Sequence, residues 1–334
     1  MCMSNSILRI LFLVLFLSIG ISHYSAAAGK VSGLIASGAA IKLVQSGFQG
    51  AEGPAADAAG NVYFSDAFLG LIYKWTWQDG KITLYKEKTG QALGLAFDAN
   101  GCLVMCELTE GRITRDDMKG SITVIADSCN GERLHRPNDL WIDPKGGIYF
   151  SDMYIPDAVL LGGGRGGVPG GKAAGAGAPG GDSSRPPKSE LGIVYISPDG
   201  SKVTRVANDI DSPNGLIGTP DGMTLYVGDQ DRVWSYKINP DGTLADKRLF
   251  CEKNTDGFAI DEKNNVYLGD KSLLIYSPAG ELLEEITPPE GIANFKFGGR
   301  DRKTLFITHR DNVYTLDMAV RGAPTALDRA RGNK

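Results

Sequence analysis

The 334-residue sequence has little of what usually announces a chemistry: three histidines, five cysteines and 8% aromatic residues. The cysteines, at positions 2, 102, 106, 129 and 251, form no CxxC pair, which excludes structural-zinc and thioredoxin-like readings. No G-x-S-x-G is present, so no nucleophile-elbow serine hydrolase is indicated. A basic excess is also missing: 35 Lys and Arg stand against 39 Asp and Glu, a net charge of −4. Without a cationic footprint, nucleic acid is not an expected partner. Long helical periodicity is absent outside the N-terminal leader. Glycine, by contrast, is plentiful at 44 residues, but it follows no G-X-Y period, which excludes collagen. A 22% charged and 42% hydrophobic composition excludes a wholly disordered chain.

The N-terminus reads as an export signal. Arg9 precedes the apolar run Ile10 to Ile21, and Ser25-Ala26-Ala27-Ala28-Gly29 places small residues at the −3 and −1 positions of a cut after Ala28. The run is short for a bilayer span, which needs about 20 residues. Residues 1–28 are therefore expected to be a cleaved signal peptide, with an uncleaved anchor as the alternative. The mature chain would then be periplasmic or secreted, with no membrane attachment. Cys2 precedes the apolar run, so no lipoprotein site is expected. The four remaining cysteines would meet an oxidising compartment. Cys102 and Cys106 lie about 13 Å apart on one strand and cannot pair with each other; other pairings stay open.

An internal repeat organises the rest. DAAGNVYFSD (57–66) recurs as DANGCLVMCE (98–107), DPKGGIYFSD (143–152), PDGMTLYVGD (220–229), DEKNNVYLGD (261–270) and GRDRKTLFIT (299–308). Each copy is a polar turn followed by an alternating apolar strand. The starts are separated by 41, 45, 77, 41 and 38 residues, the period of a four-stranded propeller blade in every interval but the third. That interval holds the Gly/Ala/Pro-rich tract 158–187, which carries too little apolar surface to form a core and is expected to be a flexible, disordered insert in blade three. Second hairpins follow the repeats, as in LIYKWTWQDGKITLYK (71–86). The expectation is an all-β, six-bladed β-propeller of four-stranded antiparallel blades over residues 45–322, with an N-terminal segment 29–44 and a C-terminal tail 323–334.

Propeller inner strands surround a channel, so equivalent positions before each turn form a ring at one mouth. Here the ring is Glu52, Leu93, Asn138, Asn214, Asp256 and Asn294. A turn role explains any one Asn or Asp. Glu52, Asn138, Asn214 and Asp256 together at equivalent positions point instead to a hard divalent cation, held without thiolate or imidazole.

The stretches AEGPAADAAGNVYFSD, HRPNDLWIDPKGGIYFSD, DSPNGLIGTPDGMTLYVGD, TDGFAIDEKNNVYLGD and ANFKFGGRDRKTLFIT resemble the SMP-30/gluconolactonase/LRE family across about residues 45–322. The resemblance implies a six-bladed propeller and a metal-dependent hydrolase opening a small-molecule sugar lactone, a carboxylic ester hydrolase of the gluconolactonase type. It assigns the metal to Glu52, Asn214 and Asp256, with Asn138 as a fourth ligand or a substrate contact. Arg136 would bind substrate hydroxyls or carboxylate, and Asp152 is the nearest match to a further acidic substrate contact. The ion would be Ca²⁺ by preference, with Zn²⁺, Mg²⁺ or Mn²⁺ as alternatives. It would polarise the lactone carbonyl, and water would be activated by the ion, by Asp256 as general base, or by both. Leu93-Gly94 departs from the Asn-Gly of many gluconolactonases. The rivals are other lactonase or phosphotriesterase-like activity on the same site, and a non-catalytic exported propeller that binds a ligand or protein. His135 and His309 compete for a base role but have no partner legible in the sequence.

Overall fold

The computed structural model describes residues 33–156 and 185–332. The expected signal peptide 1–28 lies outside the described residues, as does all of the 158–187 insert except its last three residues. The described chain is an all-β propeller of antiparallel sheets. Four sheets have four strands in sequence order, with innermost strands Ala92–Phe97, Arg136–Ile142, Pro213–Gly218 and Phe258–Ile260. A fifth sheet has six strands and unites the first and last repeat units. Six separate blades are expected; among the described residues five blade sheets are found, with a two-stranded ribbon of Ser128–Cys129 and Glu132–Arg133 beside them. Two long strands, Lys42–Ala56 and Thr304–Asp317, cause the difference. The first pairs through Lys42–Ser46 with Asn312–Thr315, and through Ala51–Ala56 with Val62–Asp66. One sheet thus joins the two ends of the chain and closes the circle.

Apolar clusters fill the spaces between neighbouring units. Tyr63, Leu95 and Met105 pack between the first two units, Tyr149, Leu216 and Val227 between the third and fourth, and Phe64, Phe306 and Val313 between the last and the first. Fully burying such side chains stabilises the fold by about 1.5–3 kcal/mol each.

The repeat is explained by its two aspartates. The first closes the turn: Asp57, Asp98, Asp143 and Asp261 each accept two backbone N–H bonds, from the residues two and four further on, at 2.7–3.0 Å. The last reaches back to the innermost strand. Asp66 accepts from the N–H groups of Gln49 and Gly50, Asp152 from His135 and Arg136, and Asp229 from Asp211 and Ser212. In each case the second donor lies two residues before a ring position. The repeated carboxylate therefore fixes where the ring residue begins.

Residues 323–332, the described part of the expected C-terminal tail 323–334, close the other mouth of the channel. Helix α1, Ala326–Ala330, starts with a capping box between Thr325 and Asp328. Its Leu327 is buried against the first two units, and Asp328 pairs with Arg302 at 2.5 Å. Among the described residues no helix is long and apolar enough to cross a membrane. Cys102, Cys106, Cys129 and Cys251 are free thiols.

Candidate active site at one end of the channel

Four of the innermost strands carry a register break at the ring: between Glu52 and Ala55, Ala92 and Leu95, Pro137 and Leu140, and Pro213 and Leu216. Such bulges turn a side chain out of the ladder, and here they turn it into the channel. Glycine follows the ring residue in four units and lets adjacent strands close together. A Cβ on Gly215 would come within 1.9 Å of the Asp256 carbonyl oxygen, and one on Gly257 within 2.3 Å of Asn294 Oδ1.

The outcome is a small cavity of about 10 Å³ lined by Glu52, Leu93, Gly94, Asn138, Asp139, Asp256 and Asn294. The Glu52 and Asp256 carboxyls are neighbours, and the Asn214 amide lies beside Asp256. Burial pushes the Glu52 carboxyl up to about 7, opposed by the Gly53 N–H at 2.9 Å. Asp256 is raised well above the usual carboxylate range, by burial first and by the neighbouring Glu52 second. Two buried carboxyls in contact demand either a shared proton or a cation.

The donor set fits a cation. Asn214 Oδ1 is buried with no hydrogen-bond partner among the described residues, an orphaned acceptor beside the carboxyl pair. Among those residues no three His, Cys, Asp or Glu side chains are placed to hold a metal ion by themselves. An ion here would have to draw on amides as well as carboxylates, and oxygen-only ligation is what hard divalent ions take.

The ring residues named from the sequence thus meet in space. The other candidates do not line the cavity. Asp152 is fully buried, its Oδ2 pairs with Arg205 at 3.2 Å, and its Oδ1 holds the start of the Asn138 strand. Arg136 directs its guanidinium to the carbonyls of Leu108 and Thr109. His135 Nε2 meets Glu190 at 3.2 Å, and His309 lies near Glu290.

Asp139 was missed. It stands where other units have glycine, between Asn138 and Leu140, and shares the cavity with Glu52 and Asp256. Burial raises its carboxyl, and the nearby Lys296 ammonium opposes that. Its backbone contacts include the N–H groups of Leu140 and Leu216, so it ties the third unit to the fourth. The legible signal was the break in the ring-residue-then-glycine pattern.

Fold and site together define a channel-centred propeller with an acidic, amide-rich cavity at one mouth. The protein-family model described as SMP-30/Gluconolactonase/LRE-like region matches residues 50–310. The chain belongs to that family. It is 26% identical over 306 residues to a gluconolactonase of Zymomonas mobilis, covering 82% of this chain and 80% of that one. It is 22% identical to the lactonase drp35 of Staphylococcus saprophyticus, covering 71% and 69%. A solved gluconolactonase structure from Xanthomonas campestris superposes with a TM-score of 0.73 at 26% identity, covering 89% of this chain and 95% of that one.

Proposed function

We propose that this protein is a divalent-metal-dependent hydrolase that opens a sugar lactone. The carrying observation is the buried Glu52–Asp256 pair beside the orphaned Asn214 Oδ1, in the channel ring of a chain of the gluconolactonase family. Glu52, Asn214, Asp256 and Asn138 would hold the ion. Once bound, the ion supplies positive charge that polarises a carbonyl and favours ionisation of water. Asp256 takes the proton of the attacking water as its oxygen adds to the acyl carbon. It returns that proton to the ring oxygen when the C–O bond breaks, leaving a hydroxy acid. Asn138 orients the lactone, and Leu93 forms an apolar wall against water. Arg136 contributes at the rim. Asp152 acts through Arg136 and Asn138, by fixing the backbone that carries them. Six repeat units around one channel and export by the residue 1–28 leader complete the proposal.

The test is the mature chain stripped with chelator and assayed on sugar lactones, aliphatic lactones and phosphotriesters, with Ca²⁺, Zn²⁺, Mg²⁺ or Mn²⁺ restored singly. Metal-restored turnover of a sugar lactone is expected. Metal-restored turnover of phosphotriesters alone would move the substrate class, and a Glu52→Gln variant that kept full metal affinity would sink the ligand assignment.

A further inference from the structure

A second and larger cavity lies further along the channel, with a volume of about 90 Å³. It shares no lining residue with the acidic one. Its walls come from the same inner strands two or three residues on, where Leu95, Leu140, Ile217, Ala259 and Lys296 replace Leu93, Asn138, Asn214, Asp256 and Asn294. Helix α1 and the segment before it form its floor. The mainly apolar lining is that of small-molecule sites.

Its ionisable lining groups are three cations, Lys296, Arg302 and Arg329, of which Lys296 is the least engaged. Lys296 forms no hydrogen bond or ion pair among the described residues, although it is enclosed by protein and lines the cavity. Asp139 acts on it only through space. Arg329 also lines the cavity, and its Nε is buried without a hydrogen-bond partner among the described residues. Arg302, the third cation, is neutralised by Asp328. Burial drives the Lys296 ammonium below the usual lysine range, the sign of a charge short of solvation. An apolar chamber holding a lysine ammonium without a hydrogen-bond partner among the described residues is complementary to an anion carrying a hydrocarbon tail.

We propose that this chamber is a second ligand site, for an aliphatic carboxylate, with the carboxylate against Lys296 and the chain among Leu95, Leu140, Ile142, Ile217 and Ile260. A sugar acid, with hydroxyls along its length, would leave those hydroxyls unpaired against these walls. The ligand is therefore of a different class from the proposed lactone product, and the site does not depend on the lactonase reading.

Calorimetric titration of the full chain with octanoate and with octanol tests the proposal, using Lys296→Met beside the unaltered protein. Octanoate is expected to bind one to one and at least tenfold tighter than octanol. Lys296→Met should lose at least tenfold for octanoate and leave octanol unchanged. Should that variant fail to fold, protection of Lys296 from reductive methylation by octanoate, and not by octanol or gluconate, gives the same reading in unaltered protein. No octanoate binding, equal affinity in Lys296→Met, or displacement of octanoate by gluconate would overturn it.

Discussion

The two halves of the channel are built from the same six inner strands and differ in almost every chemical respect. At one mouth the chain presents Glu52, Asn138 and Asp256, the first two at bulges; two or three residues on it presents Ala55, Leu140 and Ala259. Backbone regularity separates them. Bulges and ring glycines aim polar side chains inward at the first level, whereas regular pleating fills the second with hydrocarbon. Chemistry and stability are thus assigned to different rungs of one ladder, and perturbations at the two levels should have different readouts.

The largest difference is expected in turnover. Asp256→Asn should lower lactone hydrolysis by about two to four orders of magnitude, the range for removing a general base. Ile142→Val, at the apolar level, should cost only about 0.5–1.5 kcal/mol of stability and leave turnover within twofold. Parallel kinetics and denaturant titrations check both. A strongly impaired Ile142→Val enzyme would mean that the two levels do not act independently.

Next come the glycines. Gly257→Ala and Gly218→Ala each place a Cβ inside a neighbour, Asn294 in one case and the Trp141 ring at 2.2 Å in the other. Both should destabilise by about 1–3 kcal/mol. Only Gly257→Ala, which displaces the strand carrying Asp256 from Asn294, should also weaken divalent-ion binding, measured calorimetrically. Equal losses of ion affinity would assign both glycines to general packing.

How much of this could be read in advance follows from what repeats expose. Glu52, Asn138, Asn214 and Asp256 were legible because equivalent positions in a closed ring must converge, whatever the details of each blade. Asp139 and Lys296 were not, since each breaks the pattern of its own neighbours: a carboxylate where glycine is the rule, and a lysine amid inward apolar residues. The number of sheets was misjudged for another reason. A sequence repeat counts turn-and-strand units, but whether Lys42–Ala56 stays one strand as it passes from one unit to the next is settled by hydrogen bonding. The plug at the far mouth carried a local sign, Thr325-x-x-Asp328, that was overlooked among residues treated as a tail.

The acidic level should also be the one that feels pH. With metal removed, Glu52 is raised from 4.5 to about 7 in the folded chain. Between those values the folded state binds more protons than the unfolded one, so stability falls as pH rises through that window. Thermal unfolding in chelator should therefore show Tm declining from about pH 5 to pH 7.5, with the slope reduced in Glu52→Gln. Added divalent ion should also flatten it, since the ion takes the place of the proton. A slope unchanged by Glu52→Gln would place the titrating group elsewhere.

The smallest effect is expected at the closed mouth. Thr325→Ala removes the hydroxyl that accepts the Asp328 N–H at 3.2 Å and donates to its carboxylate at 2.8 Å. Losing an N-cap costs about 1 kcal/mol. Asp328 would keep its ion pair with Arg302, and Leu327 its burial, so α1 should stay in place and fray only at its first turn. Hydrogen exchange of residues 326–330 should quicken while divalent-ion affinity at the opposite mouth stays constant. The channel wall between the two levels is a set of paired strands anchored at each end by the repeat aspartates, and a disturbance at the floor has no loose element through which to reach Glu52. A tenfold change in ion affinity in Thr325→Ala would show that the plug and the acidic ring are one cooperative unit.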